Sequence, residues 1–331
     1  MDNNLQFVEE PEWVAPIFDH ANAVLEAHPP CHLPSIERQE ALMLLDGPLH
    51  LDMASRFRST YAFLTSRVTN AIAEIECTTA TDGMRIWRIY DHGFVVRTPS
   101  VTIGIDLVRG WILKDDGRPR YGISAEWTER LVAQIDLLTV SHNHADHADP
   151  VVRDEAFRQN VPVIVAPDIY ADLTGQPLLH RPQRLDPSEI SEGARASAFA
   201  RMTVAHNRTV DLITCPGHQG ETLPNNVYLY RTHEGFTVLH TGDQSGNQDW
   251  DWLDRIGDHH KVDVLMVNCW TTDMERVVNG VRPRVVITGH ENEMSHAPNH
   301  REAYWRSFQM FRDRDKPVAH VLCWGEGVAY P

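Results

Sequence analysis

The stretch Ser141-His142-Asn143-His144-Ala145-Asp146-His147 sets three imidazoles and one carboxylate within seven residues, directly after an apolar run. That run, Ile135-Asp136-Leu137-Leu138-Thr139-Val140, reads as a short strand, so the histidines begin where the strand ends and the chain turns toward solvent. His142 and His144 are two apart and share one side of an extended segment, whereas Asp146 and His147 can curl round to a second position. One metal ion or two adjacent ions could be served. Imidazole and carboxylate suit zinc, iron or manganese, and no thiolate stands among them to narrow the choice.

One loop cannot complete a coordination sphere, and three more strand ends offer ligands. Leu212-Ile213-Thr214-Cys215 runs into Pro216-Gly217-His218; Phe236-Thr237-Val238-Leu239-His240 runs into Thr241-Gly242-Asp243; Arg284-Val285-Val286-Ile287 runs into Thr288-Gly289-His290. Each is a β-rich run, a glycine and then a ligand. His206 competes with His218 for the middle position, but it lacks the Pro216-Gly217 turn, which would give His218 a defined exit from its strand. His240 reads as a packed or surface residue, and His259 and His260 as solvated.

In order, His142, His144, Asp146 and His147, then His218, Asp243 and His290 form a set that resembles the metallo-β-lactamase fold superfamily of metallohydrolases, whose signature is HxHxDH followed by His, Asp and His. Ile103-Gly104-Ile105-Asp106 is similar to an earlier family motif, an aspartate that closes a strand beside the metal centre and orients a ligand. A turn or N-cap aspartate accounts for it equally well from sequence alone. The resemblance spans about Gly83 to the C-terminus and implies an α/β fold, the four-layer αββα sandwich, with a dinuclear site on its open edge. It further implies that His142, His144 and His218 hold one ion, that Asp146, His147 and His290 hold the other, and that Asp243 bridges them. The implied cofactors are two divalent metal ions, zinc first, with manganese or iron as alternatives. A water shared by two cations is deprotonated near neutral pH and becomes the nucleophile, and the cations stabilise charge growing on the attacked group. Asp146 is therefore read as catalytic as well as ligating.

Composition agrees with an enzyme larger than that core. A chain of 331 residues with 42% hydrophobic content can bury a full core and carry one extension, and no apolar run approaches the roughly 20 residues that a membrane span needs. The opening Met1-Asp2-Asn3-Asn4 lacks the basic and apolar regions of a secretory signal, so cytoplasm is the expected compartment. Cys31, Cys77, Cys215, Cys269 and Cys323 are odd in number and scattered, which fits thiols better than a disulfide framework. A net charge of −16 argues against a nucleic-acid partner, since phosphate-gripping surfaces cluster Lys and Arg. The roughly 47 residues from Asp243 to His290 also leave no room for the large insert common in nuclease members. A small-molecule substrate is expected, and a homo-oligomer stays open.

Residues 1–82 differ in texture from 83–331. Val14, Ile17, Phe18, Ala21, Val24 and Leu25 follow helical spacing until His28-Pro29-Pro30, and Pro34 to about Ile75 reads as further helices broken near Asp46-Gly47-Pro48. This helical N-terminal extension reads first as a packing cap on the catalytic domain. From Met84 the pattern changes to short β runs with Gly93 and Pro99 between them, followed by helices near 127–135 and 150–159.

Four more residues are candidates for a substrate pocket. The strand Val262–Trp270 ends in Asn268, which could donate to an oxyanion, and Trp270, which could wall the pocket or pack in the core. His296 and His300 follow His290 closely enough to reach the rim, and His296 is the candidate for binding substrate or passing a proton. Cys269 is spare once the His/Asp set is complete.

The ligands define a reaction type and leave the substrate open. The full set is similar to the glyoxalase-II, lactonase, phosphodiesterase and N-acyl phospholipid-hydrolysing branches, and the Thr-Gly-His-Glu ending looks most like the ascorbate-6-phosphate lactonase-like branch. The expected substrate is a lactone, ester or phosphodiester of a small metabolite. Iron-dependent oxidoreductase or dioxygenase chemistry on the same fold is the alternative, with a nuclease behind it. A fold retained only as a scaffold would show eroded ligands, and all seven are present.

Overall fold

The structure, a computed structural model, describes residues 6–31, 35–112, 119–166, 169, 183–184, 200–204, 208–271, 273–312 and 317–331. Helix α1 (Val14–Ala27) buries Val14, Phe18, Ala21 and Leu25, the stripe its spacing predicts. Helix α2 (Ile36–Leu49) starts at Ser35, whose hydroxyl accepts from the Arg38 amide, and α3 (Arg58–Cys77) buries Leu64, Val68, Ile72 and Ile75. The expected break at Asp46-Gly47-Pro48 does not occur, and α2 continues through Pro48 to Leu49. Pro48 lacks the amide that would donate to the Leu44 carbonyl, and the helix ends one residue later.

Strands β1 (Met84–Arg88), β2 (Phe94–Arg97) and β3 (Thr102–Ile105) form the predicted meander. After a ribbon of β4 (Gly110–Ile112) and β5 (Pro119–Gly122) come α4 (Ala125–Val132), β6 (Leu137–Val140), α5 (Pro150–Arg158), β7 (Val163–Val165) and β8 (Gln183–Arg184). The second half supplies β9 (Ala200–Val204), β10 (Arg208–Gln219), β11 (Leu223–Arg231), β12 (Thr237–His240), β13 (Val264–Asn268), β14 (Val285–Gly289), β15 (Val318–Val321) and β16 (Glu326–Tyr330). Among the described residues one sheet runs β16-β1-β2-β3-β6-β7-β8 and the other β15-β14-β13-β12-β11-β10-β9.

Alternation along these strands builds the layers. In the first sheet Ile86, Phe94, Val96, Ile103 and Leu137 meet Leu212, Tyr228, Val264, Met266 and Ile287 of the second in one core. Their neighbours Trp87, Val95, Leu138 and Val140 face the other way and share a core with Leu42, Leu64, Ile72 and Leu131 of the helices. On the far side Leu229, Leu239, Leu265 and Val267 pack with Val277 and Val281 of the helix Met274–Val281. The order is helices, sheet, sheet, helices, which is the αββα sandwich. The three N-terminal helices are thus part of the outer layer of the first sheet. No described helix is long and apolar enough to cross a membrane.

The strand carrying His218 differs from expectation. Pro216-Gly217 makes no turn: β10 continues to Gln219, with Pro216 opposite Asn226 and His218 opposite Pro224 on β11. Its other neighbour β9 pairs only from Arg208 to Leu212, so Pro216 falls on a free edge among the described residues, where a missing amide is tolerated. His206 lies outside the described residues.

Candidate metal centre

Strands β3, β6, β12, β13 and β14 run parallel to a neighbour and end at one edge of the sandwich, which is where an open α/β sheet places ligands. From β6 emerge Ser141 and His142, from β12 Gly242 and Asp243, from β14 His290. Their side chains converge. Asp243 Oδ2 lies 3.5 Å from His142 Nε2 and 3.4 Å from His290 Nε2, and Asp243 Oδ1 lies 3.3 Å from His147 Nε2. Asp146 Oδ2 is 3.7 Å from His147 Nε2 and 3.4 Å from His290 Nε2.

The Nε2 atoms of His142, His147 and His290 and Oδ1 of Asp243 are buried and make no hydrogen bond. Several orphaned donors and acceptors facing one point are what a cation site leaves when considered without its ion. Two sets bring their ligand atoms within 4.8 Å of one another: Asp91, Asp146, His147 and His290, and His142, His147 and Asp243. His144 and His218 belong to neither set. His144 is exposed, with its ring 4.8 Å from that of His142, and His218 keeps 31% of its side chain exposed. The structure therefore gathers the Asp146, His147, His290 and Asp243 part of the expected centre tightly and leaves His144 and His218 more open.

Three of the imidazoles are held from behind. Asp106, at a left-handed φ of 47°, accepts from the Ser141 amide at 2.7 Å and the Ser141 hydroxyl at 2.5 Å, and its Oδ2 lies 2.8 Å from His147 Nδ1. Ser141 Oγ in turn reaches His142 Nδ1 at 3.0 Å. Asp249 accepts from the His218 amide at 2.8 Å and lies 3.0 Å from its Nδ1. With Nδ1 engaged, each ring presents Nε2 forward, the usual way a ligand histidine is oriented. Asp243 is positioned by its amide donating to Asn225 Oδ1 at 3.0 Å and by Gln219 Nε2 at 3.1 Å. Gly242 before it takes φ 54° against Asn225 and Ser141, a place with no room for a Cβ.

Asn268 does not face the pocket. It is buried, and its Nδ2 donates to the carbonyls of Gly242 and Gln244 at 3.2 Å each, so no amide hydrogen is left for an oxyanion. It braces the Asp243 loop instead. Trp270 stands edge-on to His290, 5.8 Å between centroids at 81°, and His296 stacks on His290 at 5.8 Å and 21°, so both flank the centre. His300 is exposed on the short turn Pro298–His300. Cys269 is buried and outside both ligand sets, and no disulfide joins the cysteines.

Sequence reading missed Asp91 and Asp249. Tyr90-Asp91-His92-Gly93 follows β1 as another ligand pair beside a glycine at a strand end, a signal taken only as punctuation of the meander. Asp249 had no comparable signal, since a lone Asp before a tryptophan-rich turn could serve many purposes.

Charge in the pocket is strongly coupled. Burial pushes His142 down to about 3, helped by the neighbouring His147. Burial would also lower His147 and His290, but Asp243 and Asp146 for the first, and Asp91 and Asp243 for the second, outweigh it and hold both well above the ordinary imidazole value. Burial opposes ionisation of Asp243, yet His147 and His290 keep it well below the usual carboxylate range. Protons thus occupy, in the metal-free protein, the positions that cations would take.

The sequence profile of the beta-lactamase superfamily domain matches residues 116–319, and the chain belongs to that family. Among solved structures the chain is similar to Igni18, a metallo hydrolase from the archaeon Ignicoccus hospitalis, with 20% identity, a TM-score of 0.55, and coverage of 76% of this chain and 99% of that one. It is also similar to the isothiocyanate hydrolase from Delia radicum gut bacteria, with 12% identity, a TM-score of 0.53, and 75% and 99% covered. A third is CmlA, a diiron β-hydroxylase from Streptomyces venezuelae, with 16% identity, a TM-score of 0.50, and 76% and 54% covered. These likenesses are of fold. No functionally curated protein matches the chain.

Proposed function

We propose that the protein is a metal-dependent hydrolase that cleaves a lactone, ester or phosphodiester bond of a small metabolite. The observation that carries this reading is the convergence of the buried, unpartnered Nε2 atoms of His142, His147 and His290 on Asp243. His142, His144 and His218 would hold one divalent ion, Asp146, His147 and His290 a second, with Asp243 between them. Such ions supply a Lewis acid and a water of lowered pKa.

The chain's own residues supply the rest. Asp106 and Asp249 fix His147 and His218 through Nδ1. Trp270 and His296 flank His290 and would border the substrate. The His296 amide donates to buried Glu293 at 2.7 Å, and its Nδ1 lies 3.6 Å from the same carboxylate, so the ring is placed to take up or release a proton at the rim.

Metal analysis of protein purified without added metal, run beside hydrolysis of bis-nitrophenyl phosphate and of simple lactones and esters, tests the reading. Nearly two zinc or manganese ions per chain with turnover is the expected result. Protein without metal, or loaded protein inert toward all three bond classes, would overturn it.

A second reading has one observation in its favour. Asp91, Asp146 and Asp243 make the buried part of the pocket rich in carboxylate, which suits iron better than zinc. Iron in the purified protein with no hydrolysis would point to oxygen chemistry instead.

A further inference from the structure

Asp91 stands in the turn between β1 and β2 at φ 51°, and that turn is clamped to the end of β14. Its carbonyl accepts from the His290 amide at 3.1 Å and from Arg88 Nε at 2.8 Å. Its carboxylate is wholly buried, and neither oxygen takes part in a hydrogen bond. Oδ1 lies 3.2 Å from His290 Nδ1. The neighbouring guanidinium does not neutralise it: Arg88 is engaged by the Glu291 carboxylate at 2.6 Å and by the carbonyls of Leu322 at 2.7 Å and Glu291 at 3.2 Å. A buried carboxylate in that state opposes folding unless a nearby positive charge compensates it.

We propose that Asp91 is a positioning residue of the metal centre, the carboxylate behind His290 that keeps Nδ1 turned toward itself and Nε2 toward Asp146 and Asp243. It completes a pattern. Asp106 stands behind His147 at 2.8 Å, Asp249 behind His218 at 3.0 Å and Asp91 behind His290 at 3.2 Å, each on Nδ1. The inference rests on the metal-binding reading above and adds a residue to it, one that acts on the centre through His290.

Asp91→Asn tests this, since Asn keeps the shape and tolerates the left-handed backbone. Zinc affinity is measured by chelator competition, and Tm is measured with and without zinc. The expected result is zinc binding about 10- to 100-fold weaker, with the zinc-loaded Tm falling by more than the metal-free Tm. Nitrogen-15 spectra of the zinc-loaded protein give an independent reading: the His290 Nδ1–H signal shifts in the variant, and an unchanged signal would overturn the inference. Parental zinc affinity in Asp91→Asn would overturn the inference, as would equal losses of Tm with and without zinc, the mark of a purely structural residue. A folded parent that takes up no zinc would overturn the metal reading and this inference with it, whereas a parent that binds beside a variant that binds equally overturns this inference alone.

Discussion

Arg88 and Glu291 form an ion pair sealed from solvent, with Nη1 2.6 Å from Oε2 and both side chains 0% exposed. Arg88 ends β1 in the first sheet and Glu291 follows His290 at the end of β14 in the second, so the pair spans the two sheets. Ser307 Oγ donates to the other Glu291 oxygen at 2.6 Å, which leaves that carboxylate fully partnered. The pair brings Asp91 and His290 to the same place. Its net contribution to stability is small against a well-packed apolar pair, but breaking it strands a charge.

Glu291→Ala should therefore destabilise the protein by about 3–5 kcal/mol, because a buried guanidinium loses its counter-charge. Arg88→Met with Glu291→Leu should cost much less than the single change. Urea unfolding of the two variants beside the parent measures both, and equal losses in the single and double variants would refute the ion-pair account.

Asp46 links the N-terminal helices to the same region. Its carboxylate accepts from the Tyr304 amide at 2.8 Å, the Trp305 amide at 3.1 Å and Asn292 Nδ2 at 2.9 Å, capping the helix Tyr304–Phe311 and holding the loop beyond His290. Asp46→Ala should cost about 1–3 kcal/mol, the range for losing a cap and leaving a buried donor unmet. Chemical denaturation reads the loss. A change within a few tenths would show that the loop is held by other contacts.

Much of this was legible in the residues, and the limits are physical. The HxHxDH run, Asp243 and His290 could be read because each follows a β run, the last two after a glycine as well, and the ends of β6 in one sheet and of β12 and β14 in the other lie at one edge of the sandwich. The layers could be read because period-two alternation sends Trp87 and Ile86 to opposite faces. Asn268 was misread because sequence places it at a strand end without saying that its amide turns back to Gly242 and Gln244. The Pro216-Gly217 pair was misread because a proline on a sheet edge and one in a turn have the same local signature, and only the pairing decides between them: β9 is described from Ala200, opposite Leu212, and Pro216 pairs with Asn226 alone among the described residues. Asp249 is paired with His218 across 31 positions, a contact that no local pattern encodes.

Asp243 and His296 should separate cleanly. Asp243 faces His142, His147 and His290, so Asp243→Ala should lower metal occupancy and hydrolysis together, with affinity falling by about two orders of magnitude or more as the shared carboxylate is lost. His296 stacks on His290 without joining either ligand set, so His296→Ala should keep full occupancy and lose turnover by roughly 10²- to 10⁴-fold if the ring moves a proton. Metal analysis beside kinetics distinguishes them. Full loading of the Asp243 variant would remove that residue from the centre.

The coupled charges fix the pH behaviour. Asp243 with Asp146, and Asp91 with Asp243, overcome burial and raise His147 and His290 well above the ordinary imidazole value, so in the metal-free fold both hold protons that the unfolded chain would release. Their contribution to stability is complete below about pH 6.5, the unfolded imidazole value, and is lost as pH rises through the folded values. Asp243 acts in the opposite sense: it is depressed in the fold, and its contribution is present above about pH 3.9 and lost as pH falls through its folded value. A cation must displace the imidazole protons, so metal affinity should rise with pH over the window in which the metal-free protein loses their support. The gap between metal-loaded and chelated Tm should accordingly widen from about pH 6 to about pH 9, and calorimetry in buffers of different ionisation enthalpy should show protons released on binding. A gap that stays constant across that range, with no proton release, would mean that His147 and His290 are not where the metal binds.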